Sequence, residues 1–181
     1  MRRGSAWEAQ LEALHDRYRR EQLAVILRGH QPVTVQSKNG SHFYGHFAGD
    51  GPPDFMGCLG VKSTWSPGRV VAFDAKDCQA KRFPLHQIER HQARDLEAVY
   101  LATGIAFIAL RLQGEAFALP WAYLRESYWP WWESDERARK GSASLVREDW
   151  WLPFVVEAEG WLPVLHRADQ LAGTYRLPAA S

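Results

Sequence analysis

Val70-Val71-Ala72-Phe73-Asp74-Ala75-Lys76, with Pro53-Asp54 ahead of it, is the stretch that decides the fold. β-Branched and aromatic residues leading into an acid-x-Lys triplet read as a strand. Residues two apart in a strand share a face, so Asp74 and Lys76 project together, with Val71, Phe73 and Ala75 opposite. Asp54, at the mouth of the preceding hairpin strand, can lie beside them. Two carboxylates and an ammonium converging at a strand end suit a hard cation such as Mg²⁺. Such a cation polarises a phosphate oxygen and lowers the pKa of a bound water. The lysine can hold that water or neutralise charge building on phosphorus. The competing reading is a surface salt bridge on an edge strand, because average composition yields acid-x-Lys triplets by chance.

Working outward, Met56–Thr64 and Arg69–Ala75 read as a hairpin turning at Ser66-Pro67-Gly68. Upstream, Asn39-Gly40 signals a tight turn between a strand at Val33–Gln36 and a second at 41–47. Trp7, Leu11, Leu14 and Tyr18 step by four, three and four, the stripe of an amphipathic helix. Ser5 and Glu8 fit a capping box, and the predicted helix covers 5–28, stopping at Gly29 with Pro32 beyond. Downstream, Phe83-Pro84-Leu85 is expected to open a helix running to Thr103 and ended by Gly104. Ile105–Leu112 and Ala116–Leu119 form a strand pair around Gly114. Strands on both sides of a central helix argue for α/β or α+β rather than a barrel.

On that central helix, Leu85, Ile88, Leu96, Val99 and Thr103 form the inward stripe, and Gln92 fills its gap. A glutamine there is either a buried amide satisfied by backbone or a group that positions water or phosphate beside Asp74 and Lys76.

The chain's 181 residues are 46% apolar and 24% charged, an ordinary globular composition. We expect one domain over 1–181: the helix at 5–28, a sheet and helix over 32–120, and a Trp-rich part over 121–181. That last part reads only as short helices and an extended piece near Phe154–Glu157. The best apolar run, Ile105–Leu110, is too short to span a bilayer, and the polar start gives no signal peptide. Cys58 and Cys78 lie too far apart in sequence for a CxxC pair, so a cytoplasmic setting without membrane partners is expected. The net charge of +1 hides an asymmetry. Residues 62–94 carry seven Lys/Arg against three acids, and 95–181 carry eight against twelve. The first stretch is a candidate anion-binding surface, or a chance cluster on a solvated face.

The order RGSAWE at 3–8, PV at 32–33, PD at 53–54, FDAK at 73–76, FPL at 83–85, HQ at 91–92, GIAFIALR at 104–111, LP at 119–120 and KGSASL at 140–145 resembles the RecU-type Holliday-junction resolvases. These belong to the PD-(D/E)xK nuclease superfamily. The resemblance implies a restriction-endonuclease-like α/β core, a central mixed β-sheet flanked by helices. It implies that Asp54, Asp74 and Lys76 are metal and catalytic residues, with Gln92 their helix partner. Glu8 would bring a third carboxylate to the metal, a role compatible with its place in the capping box. The implied activity is structure-selective, Mg²⁺- or Mn²⁺-dependent endonuclease cleavage of four-way junctions. A bacterial or phage homodimer would make paired nicks leaving 5′-phosphates, on the nucleoid, in recombination and repair. The alternatives are a related nuclease on another branched or single-stranded DNA, and a non-cutting junction-binding protein.

Arg2, Arg3, Lys62, Arg69, Lys81, Arg82, Arg90 and Arg94 are candidate phosphate contacts. His86 and His91 are either further phosphate contacts or structural residues. Residues 37–53 are shorter than the stalk of the resolvases, whereas the hairpin between Asp54 and Asp74 is longer, with Trp65 near its tip. Phe43, Tyr44 and Phe47 in the first, or Trp65 in the second, either stack on unpaired bases or serve in loop packing or a dimer contact. The nine tryptophans, including those of YWPWW at 128–132 and DWW at 149–151, read mainly as core and subunit interface.

Overall fold

The structure is a computed structural model that describes residues 3–30, 33–39, 42–47, 50–134, 143–147, 154–157 and 160–172. Its centre is a mixed sheet of five strands in the order β1-β4-β5-β7-β8. These strands are Ala24–Arg28, Phe55–Leu59, Val70–Cys78, Ile105–Leu112 and Glu115–Pro120. Only β5 and β7 run parallel within it; the other neighbours are antiparallel. A parallel pair needs a long crossover, supplied here by the segment that contains α2 (Arg90–Leu101). Two further strands, β2 (Val33–Asn39) and β3 (His42–Phe47), form a separate antiparallel hairpin. β6 (Arg82–Pro84) pairs with β9 (Ser144–Val146).

One register holds the sheet together. Phe55 lies opposite Phe73, and Phe73 opposite Phe107, so a phenylalanine row crosses β4, β5 and β7. The ring centroids are 5.0 and 4.3 Å apart, and all three side chains are buried. Trp161, at the head of α4 (Trp161–Ala172), lies 5.6 Å from Phe73 and 5.2 Å from Phe107. The first helix, α1 (Arg3–Arg20), contributes Trp7, Leu11 and Tyr18 to this core. The Trp7 indole also donates to the Ala109 carbonyl at 2.9 Å.

Four expectations are corrected. The first helix ends at Arg20 instead of continuing to 28, because Gln22 adopts φ 61°. The Leu23 and Gln22 N–H groups then bond back to Tyr18 and Arg19, a Schellman ending that satisfies the last carbonyls. The Ala-Val-Ile-Leu run that follows becomes the edge strand β1, with Ala24 and Ile26 buried and Val25 and Leu27 exposed. At the other end the helix starts at Arg3, so Ser5 lies inside it rather than capping it. Phe83-Pro84-Leu85 opens no helix. Pro84 closes β6, a short 3-10 turn spans Leu85–Gln87, and α2 begins only at Arg90. Asn39 pairs directly with His42, moving the turn one residue on to 40–41, which lie outside the described residues.

The Trp-rich part holds a longer helix than expected, α3 (Trp121–Glu133), with Trp121, Leu124 and Tyr128 buried along one stripe. Glu97 of α2 fastens it. Its carboxylate accepts from Arg125 Nη2 at 2.6 Å, Trp121 Nε1 at 2.7 Å and Trp129 Nε1 at 3.1 Å. The Arg125 guanidinium, with the two indoles, draws the Glu97 pKa down to about 2. The extended piece at 154–157 is present, bridging Val155 to Phe117. Tryptophans 150 and 151 lie outside the described residues. None of the described helices is long and apolar enough to cross a membrane.

His15 sits edge-on to Phe55 and Phe73, with the Trp161 indole directed at its Nε2. Burial pushes its pKa down to about 4, so the folded protein keeps it neutral. The unfolded chain binds a proton near pH 6.5 and the folded chain does not, so stability falls as pH drops from 6.5 towards 4. The expected loss over that window is about 3 kcal/mol. Asp74, whose pKa is raised, contributes with the opposite sign over the same window, so the test compares two proteins: between pH 7 and pH 4.5, urea unfolding should show wild type losing about 2 kcal/mol more than His15→Phe.

Candidate active site

The phenylalanine row decides where the acids stand. Phe55 opposes Phe73 in an antiparallel pair, so the residue before one is level with the residue after the other. Asp54 and Asp74 are therefore neighbours on the face turned away from the phenylalanines. The Asp54 N–H donates to Asp74 Oδ1 at 3.2 Å, and the Ala75 N–H donates to Asp54 Oδ2 at 2.9 Å. Each carboxylate is aligned by the other strand's backbone.

Lys76 lies on the same face, one step along β5. Its Nζ donates to Gln92 Oε1 at 2.8 Å, and Gln92 Nε2 donates to Asp74 Oδ1 at 3.2 Å. Gln92 also accepts at Oε1 from the Glu89 main-chain N–H at 3.1 Å, the return half of a capping box at the start of α2. The amide is thus satisfied by backbone, and it also touches the acid and the lysine.

Asp74 is fully buried, and its Oδ2 has no hydrogen-bond partner among the described residues. Burial raises its pKa to about 6; Lys76 opposes the shift and Asp54 adds to it. A carboxylate left in that state is costly unless something positive completes it. Asp54 flanks the same spot and opens on a cavity of about 420 Å³, lined also by Arg28, His30, Pro52, His91 and Gln92. The residues present fit a hard divalent cation, which Asp54 and Asp74 would hold, with water and phosphate oxygens completing its shell.

Glu8 is placed differently from the expectation. It is ion-paired with Arg28, which also binds Glu12 at 2.7 Å. Among the described residues no three His, Cys, Asp or Glu side chains converge to hold a metal. Glu8 thus reaches the site through Arg28, whose guanidinium feels the Asp54 charge and lines the cavity. Arg28 and His30 escaped sequence reading because 5–28 looked helical. With β1 recognised, Arg28 falls opposite Phe55, and the Gly29 N–H bonds to the Asp54 carbonyl at 2.8 Å. Gly29 has no alternative, since a Cβ there would lie 2.1 Å from the Pro53 carbonyl oxygen.

The candidate phosphate contacts divide. Arg82 and Lys81 are exposed just past the carboxyl end of β5, and Arg94 lines a second cavity with Asp50, Pro52 and His91. Arg90 is exposed and lies 5.6 Å over the Trp132 ring. Lys62, Trp65 and Arg69 sit in the β4–β5 connection, at the end of these strands remote from Asp54. There Trp65 packs 5.8 Å from the His166 ring, with Arg69 over it at 5.0 Å and Arg69 Nε on the Thr103 carbonyl. For Trp65, packing within the protein is the reading that the geometry favours. Arg3 is described only as backbone of α1; Arg2 and the side chains of Phe43, Tyr44 and Phe47 lie outside the described residues.

A family model described as Recombination protein U matches residues 2–150, a span holding Glu8, Asp54, Asp74, Lys76 and Gln92. The chain belongs to the RecU family. It is similar to the Holliday junction resolvase RecU of Staphylococcus saprophyticus, 26% identical over 167 residues, which cover 84% of this chain and 74% of that one. It is 29% identical over 137 residues to the Holliday junction resolvase RecU of Lactococcus lactis subsp. cremoris, covering 71% of this chain and 61% of that one. For the same-named protein of Streptococcus sanguinis the figures are 27% over 135 residues, 70% and 64%. The chain thus spans under two thirds of the last two relatives. Within the RecU family the mixed sheet and its helices form a nuclease-like core, as the resemblance implied, and the α/β class agrees with the reading of the strand pattern.

Asp74→Asn keeps an acceptor oxygen for the Asp54 and Gln92 donors but removes a buried charge. Metal-free Asp74→Asn protein should therefore melt higher than wild type, by a few degrees, about 1–2 kcal/mol of stability. Calorimetry in EDTA checks this; a lower melting temperature would show that the charge is compensated.

Proposed function

We propose that this protein is a metal-dependent endonuclease that resolves four-way DNA junctions. The observation that carries the reading is the level register of Asp54 and Asp74, with Lys76 tied to Gln92 beside them. The RecU-family membership and the names of the relatives support the substrate assignment.

When bound, Mg²⁺ or Mn²⁺ supplies Lewis acidity towards a phosphate oxygen and makes a nearby water more acidic. The chain does the rest. Asp54 and Asp74 present oxygens at a fixed spacing, because each is bonded to main chain on the opposing strand. Lys76 Nζ, held by Gln92, places a positive charge where a pentacovalent phosphorus gathers negative charge. Arg28 and His30 line the approach and can bind the flanking phosphates. A homodimer with two such sites would nick a pseudo-symmetric junction in pairs, leaving 5′-phosphates, on the bacterial or phage-infected nucleoid.

The test is cleavage of a labelled synthetic four-way junction against linear duplex, with Mg²⁺ and with EDTA. Paired, metal-dependent nicks in the junction, lost in Asp74→Asn, are expected. Lys76→Ala should bind the junction but cut about a hundredfold more slowly or worse. Equal cutting of every substrate would point to a nuclease for another DNA, and binding without cutting to a junction-binding protein. Junction affinity should also fall steeply between 50 and 200 mM salt, by about tenfold or more, as counterions are released; a flat response would count against phosphate-led binding.

A further inference from the structure

The Gln92 amide has two faces, and only one orientation suits its surroundings. Its Oε1 accepts from the Glu89 main-chain N–H at 3.1 Å and from Lys76 Nζ at 2.8 Å, while Nε2 donates to Asp74 Oδ1 at 3.2 Å. An amide oxygen has two acceptor sites, and both are taken. Turned over, the amide would aim N–H at a main-chain N–H and at an ammonium, and its oxygen at a carboxylate. Lys76 and Asp74 meet the amide through side chains; the Glu89 N–H is the main-chain member, set by the first turn of α2. It stands at the N-cap, where an N–H has no partner in the helix ladder and is free to bond a side chain.

We infer that the Glu89 main-chain N–H is a positioning group for the cutting reaction. It locks the Gln92 amide in the orientation that seats Lys76 and turns Asp74 Oδ1 inward. With Oδ1 occupied by Gln92 and by the Asp54 N–H, Oδ2 is left as the oxygen offered to a cation. The start of α2 and the geometry of the cutting site are thereby one device. The role rests on the nuclease reading above.

The backbone at this position allows a direct test. Glu89 has φ −72° and ψ 155°, and Ile88 before it has φ −92° and ψ 108°. Both suit proline at 89, which would delete the N–H without altering the chain path. Glu89→Ala removes the same carboxylate but keeps the N–H, so the pair isolates one donor. Both variants should melt within about 3 °C of each other. At saturating junction, Glu89→Pro should cut about tenfold or more below Glu89→Ala, the loss expected when a hydrogen bond that orders charged groups is removed. Junction affinity in EDTA should agree within about twofold, because phosphate contacts set it. In ¹⁵N-labelled protein, the Gln92 side-chain amide protons should be shifted from free-glutamine positions and slow to exchange with water in Glu89→Ala, and close to those positions and fast to exchange in Glu89→Pro.

Equal cutting by the two variants, or an unchanged Gln92 amide in Glu89→Pro, would overturn the inference. Should Glu89→Pro not fold, the wild-type spectrum decides: a Gln92 amide at free-glutamine positions and exchanging rapidly with water overturns it as well, and a shifted, protected one upholds it. A wild type that cuts no DNA removes the nuclease reading and this role with it, and is recognisable because no variant is needed to see it.

Discussion

The register of Phe55 against Phe73 is the constraint on which the rest depends. Side chains alternate faces along a strand, so the pairing that buries three phenylalanines, two of them against Trp161, also sends Asp54 and Asp74 to the opposite face, side by side. A slip of one residue would expose the phenylalanine row and part the two acids. Burial of three aromatic side chains is worth several kcal/mol, far more than the acids could contribute by themselves. The hydrophobic face thus enforces a polar arrangement that electrostatics alone would oppose.

That opposition is visible in the site. Two carboxylates meet where burial already disfavours charge, and the result is a raised Asp74 pKa and an orphaned Oδ2. Hydrogen bonds from Asp54 N–H, Ala75 N–H and Gln92 stabilise the pair without neutralising it. A site held in this way by its surroundings, with one charge uncompensated, is poised to take a cation. Glu97 shows the contrasting case. Its charge is met by Arg125 and two indoles, so its pKa is lowered, and it serves to fasten α3 to α2.

Much of the site was legible because it rests on local periodicity. Alternation put Asp74 and Lys76 on one face, and the helical stripe put Gln92 towards them; both hold in three dimensions. Local pattern misled where two structures share one pattern. Ala24–Arg28 continues the apolar stripe of α1, and only the left-handed turn at Gln22, a residue with no special preference for it, redirects the chain into β1. Arg28 and His30 were lost with that error, since their place beside Asp54 follows from β1 pairing with β4. Glu8 shows the same limit. Its helix position is readable, but its ion pair with Arg28 joins elements that are neighbours only after folding.

From the sequence by itself come the α/β alternation, the strand carrying Asp74 and Lys76, the helix carrying Gln92 and the motif order of the RecU family. Each depends on spacings of a few residues, which the geometry of a strand or a helix turns directly into direction. Tertiary structure alone decided the level pairing of Asp54 with Asp74, the seat of Arg28, the packing of Trp65 on α4 and the knot of Glu97 with α3. Those depend on which strands pair and in what register, and that is settled by the burial of side chains brought together from distant parts of the chain.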